Sequence, residues 1–189
     1  MCRFKSGIIL KNKNVIAQGE NNSHSDLLEK IRIEDTTENS MRVFVRAELI
    51  PPNNEWWTDV DTWKFNVDQD ITPEWFELDK EKYEQSFRED VKTWCNEHVL
   101  IDKKIYELSK DYYMLKRCEV KKLCKDVTAM CDNSTVTEMY DNSTVTAMWD
   151  NSTVTEMWDN STVTAMCDNS TVTKMYSNST VTAMLLCIS

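Results

Sequence analysis

The sequence predicts an α+β N-terminal domain followed by a short parallel β-solenoid. Two observations lead to this fold class. A nine-residue unit recurs from residue 127 onward, and the segment before it combines alternating strand patterns with an amphipathic helical pattern. We therefore divide the chain into an α+β head over residues 1–112, a junction and first cap coil over 113–126, and a nine-residue-repeat β-solenoid over 127–189.

The head is predicted to pack one amphipathic helix on a small antiparallel sheet. Apolar and polar side chains alternate over residues 41–50, and Pro51 ends that strand. Tyr83 and Phe87 begin a set of apolar residues at helical spacing. The predicted elements are, in order, a hairpin over 5–17, a short helix over 23–31, strands over 41–50 and 63–67, and a helix over 79–101.

The valines of the repeat recur every nine residues. The residue two positions after each valine alternates between two types, so that each type recurs every eighteen residues. The valines are Val127, Val136, Val145, Val154, Val163, Val172 and Val181. Two positions later stand Ala129, Ala147, Ala165 and Ala183 in one series, and Glu138, Glu156 and Lys174 in the other. Two nine-residue arms therefore form one 18-residue coil, in which like residues stack in columns.

Each arm supplies its own strand and turn. Ser-Thr-Val-Thr is rich in β-branched residues, as strands are, and Asp-Asn-Ser can reverse the chain without glycine. We place valine in the core, and the methionine three residues later joins it across a bend. Strict alternation would instead put valine and glutamate on one face. The arms predict about three and a half coils.

Composition argues against several classes of function. The net charge is −10 and the pI is about 4.7, whereas binding to nucleic-acid phosphates needs clustered Lys and Arg. Only two glycines are present, too few for a glycine-rich phosphate loop. No apolar run reaches the ~18–20 residues that span a bilayer. We expect a cytoplasmic protein with reduced cysteines, no cofactor, and neither membrane nor direct nucleic-acid contact.

The acidic turn residues of the repeat form a candidate binding surface, made of Asp132, Asp141, Asp150, Asp159 and Asp168. They stack one coil apart, as the carboxylates of calcium-binding nine-residue repeats do. The turn glycines of those repeats are missing, which favours a turn-capping role. A zinc set drawn from Cys118, Cys124 and Cys131 with Cys95 and His98 lacks paired CxxC spacing, so we assign no metal. The Thr-Val-Thr units are similar to those of ice-binding solenoids, but threonine is a common strand residue.

The head contains two further candidate sites. Trp56 and Trp57, beside two prolines, form a candidate contact surface, with burial in the core as the alternative. Removal of Met1 would bring the thiol and the free α-amine of Cys2 together, so that the amine activates the nucleophile, with His24 orienting it. This is the pattern of N-terminal-nucleophile hydrolases. Their fold needs a longer chain, and a buried thiol is the alternative interpretation of Cys2.

Four segments of the head carry a family resemblance: Met1–Lys11, Ser23–Asp26, Phe44–Pro52 and Val67–Trp75. They resemble uncharacterised proteins encoded by phages and prophages of gut bacteria, which join such a head to C-terminal NSTV-type repeats. The resemblance covers nearly the whole chain. It implies a location in the host cytoplasm or in a virion, and it implies no particular chemistry.

These observations favour a non-enzymatic protein-interaction or structural module with a protein partner. Two alternatives remain open: a hydrolase that uses Cys2, and an acidic nucleic-acid mimic that inhibits a host enzyme. The segment from Leu185 to Ser189 is an apolar finish on an open sheet edge. Because open edges pair readily, we expect homodimerisation through this tip.

Overall fold

The computed structural model describes residues 4–19, 21–108 and 110–184, and the chain divides into two compact units, Met1–Asn96 and Glu97–Ser189. The first unit is α+β and the second is a parallel β-solenoid, which confirms the predicted fold class. Two predicted sites, Cys2 and the tip at residues 185–189, lie outside the described residues.

The first unit contains a four-stranded antiparallel sheet with helices. In chain order its elements are β1 (Lys5–Leu10), β2 (Lys13–Ile16), α1 (His24–Lys30), α2 (Thr37–Arg42), β3 (Phe44–Ile50), β4 (Lys64–Val67), α3 (Glu74–Leu78) and α4 (Lys80–His98), with short 3-10 turns at Pro52–Asn54 and Val60–Thr62. The strand order is β2-β1-β3-β4. No helix among the described residues is long and apolar enough to cross a membrane.

Helix α4 packs against the sheet closely enough to require a glycine. A methyl group at Gly7 of β1 would lie 2.6 Å from the ring of Phe87 and 2.8 Å from the carbonyl oxygen of Val15. Phe87 and Val91 are fully buried, as their helical spacing predicts. The predicted helix over 79–101 ends earlier, at His98, because the next three residues form a strand that pairs with a parallel neighbour.

The second unit is a stack of parallel strands in two sheets. Its strands are β5 (Val99–Ile101), β6 (Lys104–Glu107), β7 (Tyr113–Lys116), β8 (Glu119–Leu123), β9 (Val127–Cys131), β10 (Thr135–Met139), β11 (Thr144–Met148), β12 (Thr153–Met157), β13 (Thr162–Met166), β14 (Thr171–Met175) and β15 (Thr180–Met184). Odd-numbered strands form one sheet and even-numbered strands form the other. Val136 pairs with Val154 and Val145 with Val163, which confirms the 18-residue coil.

The solenoid begins earlier than predicted. Strands β5 to β8 continue both sheets, and the units separate between Asn96 and Glu97, so the head does not extend to residue 112 and residues 113–126 are not a single cap coil. In the early coils Ile105 pairs with Val120, and Val120 in turn pairs with Val136. They keep the apolar column but not the repeated letters, and a search for identical residues therefore misses them.

The core of the solenoid is lined by serine, valine and methionine from each of the four arms between Ser134 and Met166. In β10, Ser134 before the strand, Val136 and Met139 are all 0 % exposed. Val136 and Met139 are three residues apart, so the strand bends between them. The intervening Thr137 is exposed and Glu138 is half-buried. The bend predicted from the sequence is therefore confirmed, and strict alternation does not hold.

The turns reverse the chain with aspartate and asparagine in the left-handed region. Asp150 and Asn151 have φ of 53° and 60°, whereas in the opposite turn Asp159 alone does so, with φ of 56°. Asp and Asn tolerate this conformation better than other non-glycine residues. In the second turn series the side-chain amide of Asn160 donates to Oδ1 of Asn142 one coil away, at 3.3 Å. The turns therefore need no glycine.

We expect Val136→Thr to lower the free energy of unfolding of the solenoid by about 1–3 kcal/mol, because it places a hydroxyl in the dry core. The matched control, Thr137→Val, makes the reverse change on the exposed neighbour and is expected to stay within about 0.5 kcal/mol. Denaturant unfolding followed by circular dichroism compares the two variants. Equal losses from both would contradict the inward assignment of Val136.

Candidate functional site

His24, the residue predicted to assist Cys2, is the first residue of α1 and is buried. Its Nδ1 lies 3.1 Å from Oδ2 of Asp68, and its Nε2 lies 3.3 Å from the carbonyl oxygen of Ala47. His24 is therefore held between a carboxylate and a carbonyl group. Cys2 lies outside the described residues, so the pairing of Cys2 with His24 stays a prediction.

Glu48 joins His24 and Asp68 in one cluster. One ligand atom from each residue lies within 4.8 Å of the other two, and within the described ranges this is the only group of three such residues. Nδ2 of Asn66 donates to Oε2 of Glu48 at 2.9 Å. Sequence reasoning missed the cluster because its members are far apart in the chain. The available signal was the alternation that places Glu48, Asn66 and Asp68 on the same face of β3 and β4.

Trp56 does not form an exposed contact surface. It is 7 % exposed, and its ring packs edge-on against Trp63 at 5.3 Å and tilted against Trp94 at 5.8 Å. Trp57 is half-buried. The prediction of a tryptophan contact pair is wrong for Trp56, because its large apolar ring is used in an aromatic core.

Lys5 is a basic residue buried in the first unit, against the Trp94 ring that also packs on Trp56. It is 1 % exposed, and its Nζ lies 3.3 Å from the centroid of the Trp94 ring. Burial lowers the pKa of Lys5 to about 7 and raises the pKa of Cys95 to about 12. Lysine is almost never fully buried, and nothing in the strand pattern of residues 5–10 distinguishes Lys5 from an outward-facing residue.

The predicted acidic turn residues do form stacked columns in the solenoid. Burial and the neighbouring carboxylates of Asp132 and Asp168 raise the pKa of Asp150. Asp132 forms an ion pair with Lys116, whose Nζ lies 2.9 Å from Oδ2 of Asp132. Nowhere among the described residues do three of these carboxylates come within 4.8 Å of one another. Their positive φ values match the turn-capping role.

One sheet of the solenoid carries a column of charges and, beside it, a column of aromatic rings. The charged column runs in register through Glu107, Lys122, Glu138, Glu156 and Lys174. The rings of Trp158 and Tyr176 stack with centroids 3.9 Å apart and an interplanar angle of 16°. Lys174 Nζ lies 2.8 Å from Oε1 of Glu156. The opposite sheet has the uncharged column Ala129, Ala147, Ala165 and Ala183.

The terminal coil, residues 168–184 with β14 and β15, differs from the coils before it. Residues 132–149 and 150–167 each contain three acidic residues and no basic one, whereas residues 168–184 contain one of each, Asp168 and Lys174. The methionines of earlier arms are buried, but Met175 is 44 % exposed and Met184 is 78 % exposed. The terminal coil is therefore neutral and exposes apolar side chains, whereas the two coils before it are acidic and bury theirs.

The cysteines do not assemble the zinc set weighed from the sequence. Cys118, Cys124 and Cys131 belong to no group of three potential ligands among the described residues. Cys118 Sγ instead donates to the carbonyl oxygen of Leu100, at 3.2 Å. Cys167 is disulfide-bonded, so the expectation of reduced cysteines is wrong at that position.

Comparison of the chain with protein-family models, with curated proteins and with solved structures found no match. The function of the protein is therefore inferred from the geometry of each unit.

We expect the stability of the first unit to rise with pH between 7 and 9, and Lys5→Met to remove that rise. In this window the unfolded chain keeps a proton on Lys5 that the folded chain has released, so deprotonation favours folding. Above pH 9 the raised pKa of Cys95 acts in the opposite direction, because the folded thiol stays protonated. Thermal unfolding across the window measures both proteins.

The control for this prediction is Lys11→Met, at an exposed position in the turn after β1. It is expected to leave the pH dependence unchanged. A wild-type curve that is flat from pH 7 to 9, or one that Lys5→Met leaves intact, would contradict the assignment of Lys5 as a buried, neutralised base.

We expect Asp150→Asn to stabilise the solenoid at pH 7 by no more than about 1 kcal/mol, because it removes the desolvation cost of the charged form and its repulsion from the carboxylates of Asp132 and Asp168. The folded pKa is raised, so the wild type regains this stability as pH falls through the carboxyl range and the gain disappears below about pH 3. Asp159→Asn is the control, since Asp159 has an acidic neighbour, Asp141, on one side only and Ser177 on the other. Melting temperatures that shift equally for both variants would refute the column effect.

Proposed function

We propose that the protein is a non-enzymatic interaction or structural module that binds through the terminal coil of its solenoid. The observation that carries this proposal is that the terminal coil is neutral and exposes apolar side chains, next to two acidic coils. Val172 and Val181 are only partly buried there, and Met175, Tyr176 and Met184 are exposed. Exposed apolar side chains grouped at one surface are typical of protein-interaction sites.

The open strand edges support the same conclusion. Among the described strands, β14 pairs only with β12 and β15 pairs only with β13. Within the described residues each therefore presents unpaired backbone donors and acceptors along one edge, which is a template for another strand. The predicted tip at residues 185–189 lies outside the described residues, and in this proposal it belongs to the interface.

The partner that this end fits is a second copy of the chain. Two acidic ends facing each other would repel, but here Lys174 and Ser177 stand where earlier coils have glutamate and aspartate. An end that is neutral and apolar on both copies is self-complementary, as a two-fold interface requires. In the phage or prophage setting that the sequence resemblance implies, such a dimer displays two acidic rods, either in the host cytoplasm or in a virion.

We expect the wild-type protein to dimerise at micromolar concentration and Met184→Glu to weaken the dimer at least about tenfold. Loss of a buried methionine contact is worth about 1.5–3 kcal/mol, which converts to about 10–100-fold in affinity. Leu78→Glu is the matched control, since Leu78 is 76 % exposed in the first unit. Sedimentation velocity over a concentration series measures the dissociation constant of each protein.

A second variant tests the charge argument without removing apolar surface. Lys174→Glu combined with Ser177→Asp restores the acidic consensus of the repeat in the terminal coil, and we expect it to weaken the dimer most at low salt, where charges are least screened. A wild-type protein that remains a monodisperse monomer at roughly tens of micromolar contradicts the proposal. So does a dimer that both Met184→Glu and the Lys174→Glu, Ser177→Asp double variant leave unchanged.

A further inference from the structure

The cluster of His24, Glu48 and Asp68 is formed by three different elements of the first unit. Glu48 lies on β3 and Asp68 directly follows β4, with its backbone N–H donating to the carbonyl oxygen of Arg46 at 2.9 Å. His24 begins α1. The antiparallel pairing of β3 and β4 sets Glu48 opposite Asn66. The two carboxylates therefore reach the ring of His24 from one sheet.

The two ring nitrogens of His24 each face an acceptor: Nε2 lies 3.3 Å from the carbonyl oxygen of Ala47, and Nδ1 lies 3.1 Å from Oδ2 of Asp68. A neutral ring carries one hydrogen and can donate to only one of them. In the tautomer with the hydrogen on Nε2, the lone pair of Nδ1 faces a lone pair of Oδ2. Two lone pairs repel at this distance, and a positive species between them resolves the conflict.

The surroundings of the cluster resemble the outer shell of a metal site. A ligating histidine usually donates its second nitrogen to a carbonyl or carboxylate group, as Nε2 of His24 does toward Ala47 in that tautomer. Asn66 orients Glu48. Gln69 fixes the loop that bears Asp68, because its Oε1 accepts from the backbone of Arg46 at 2.8 Å and its Nε2 donates to the carbonyl oxygen of Ile71 at 2.7 Å.

We infer that His24 Nδ1, Glu48 and Asp68 bind one divalent first-row transition-metal ion, of which Zn²⁺ is the representative. An imidazole ligand favours such ions over Ca²⁺ and Mg²⁺, which prefer oxygen alone. Bonds of about 2.0–2.1 Å place tetrahedral ligands about 3.4 Å apart, so ligand atoms within 4.8 Å close on the ion by side-chain rotation. Asp68 is 56 % exposed, which gives the ion an entry path and leaves a coordination position for water.

The inference is independent of the proposed role of the terminal coil. It predicts that the full-length protein binds one equivalent of Zn²⁺ in isothermal titration calorimetry, and that Asp68→Asn weakens binding tenfold or more. The control, Asp70→Asn, changes an exposed carboxylate in the same loop and leaves the affinity unchanged. Saturating Zn²⁺ raises the melting temperature by several degrees in the wild type and in the control, but not in Asp68→Asn.

A second measurement locates the ion. In ¹H–¹⁵N spectra, paramagnetic Co²⁺ is expected to broaden the amides of Ala47, Asn66 and Gln69 first. Asp68→Asn, changed at an exposed residue, keeps the wild-type spectrum without metal, which separates lost binding from misfolding. The inference is overturned if no saturable binding is found, which would leave a proton as the occupant of the site. It is equally overturned if Asp68→Asn binds as tightly as the wild type, or if broadening centres on the cysteines.

Discussion

Every strand of the solenoid pairs only with the strands one coil before and one coil after it, and this stacking in register is the constraint on which the rest of the unit depends. Val136 lies between Val120 and Val154, so its backbone hydrogen bonds and its apolar contacts both come from neighbouring coils. Stability in such a stack is roughly a sum of coil and interface terms. An interior coil is satisfied on both sides, and a terminal one is not.

The periodic part of this architecture was predictable from sequence, because stacking in register forces like residues into columns. The alternation of Ala147 with Glu138 and Glu156 fixed the 18-residue coil, and the Asp-Asn turns followed from their left-handed propensity. The early coils were missed because Ile105 and Val120 continue the core column without any repeated letters around them. Physical equivalence of side chains is enough for stacking, whereas recognition from a single sequence requires identity.

The first unit was predictable in its elements and less so in its site. Helical spacing correctly placed Phe87 in the core, but the same apolar character made Trp56 ambiguous between a contact surface and a core residue. Packing against Trp63 and Trp94 decides it for the core, and only tertiary structure supplies that information. His24 was identified as chemically interesting, yet its carboxylate neighbours arrive through sheet register, which a local pattern does not contain.

The acidic columns explain why the composition of the terminal coil matters. Burial and the neighbouring carboxylates of Asp132 and Asp168 raise the pKa of Asp150, so keeping that carboxylate charged in its column costs some stability. Charged side chains, lysine above all, are a common protection of exposed sheet edges against unwanted pairing. Lys174 stands where the two preceding coils have glutamate and pairs with Glu156, and Ser177 stands where they have aspartate. The terminal coil therefore carries less negative charge than the two coils before it, and two copies of it repel each other less.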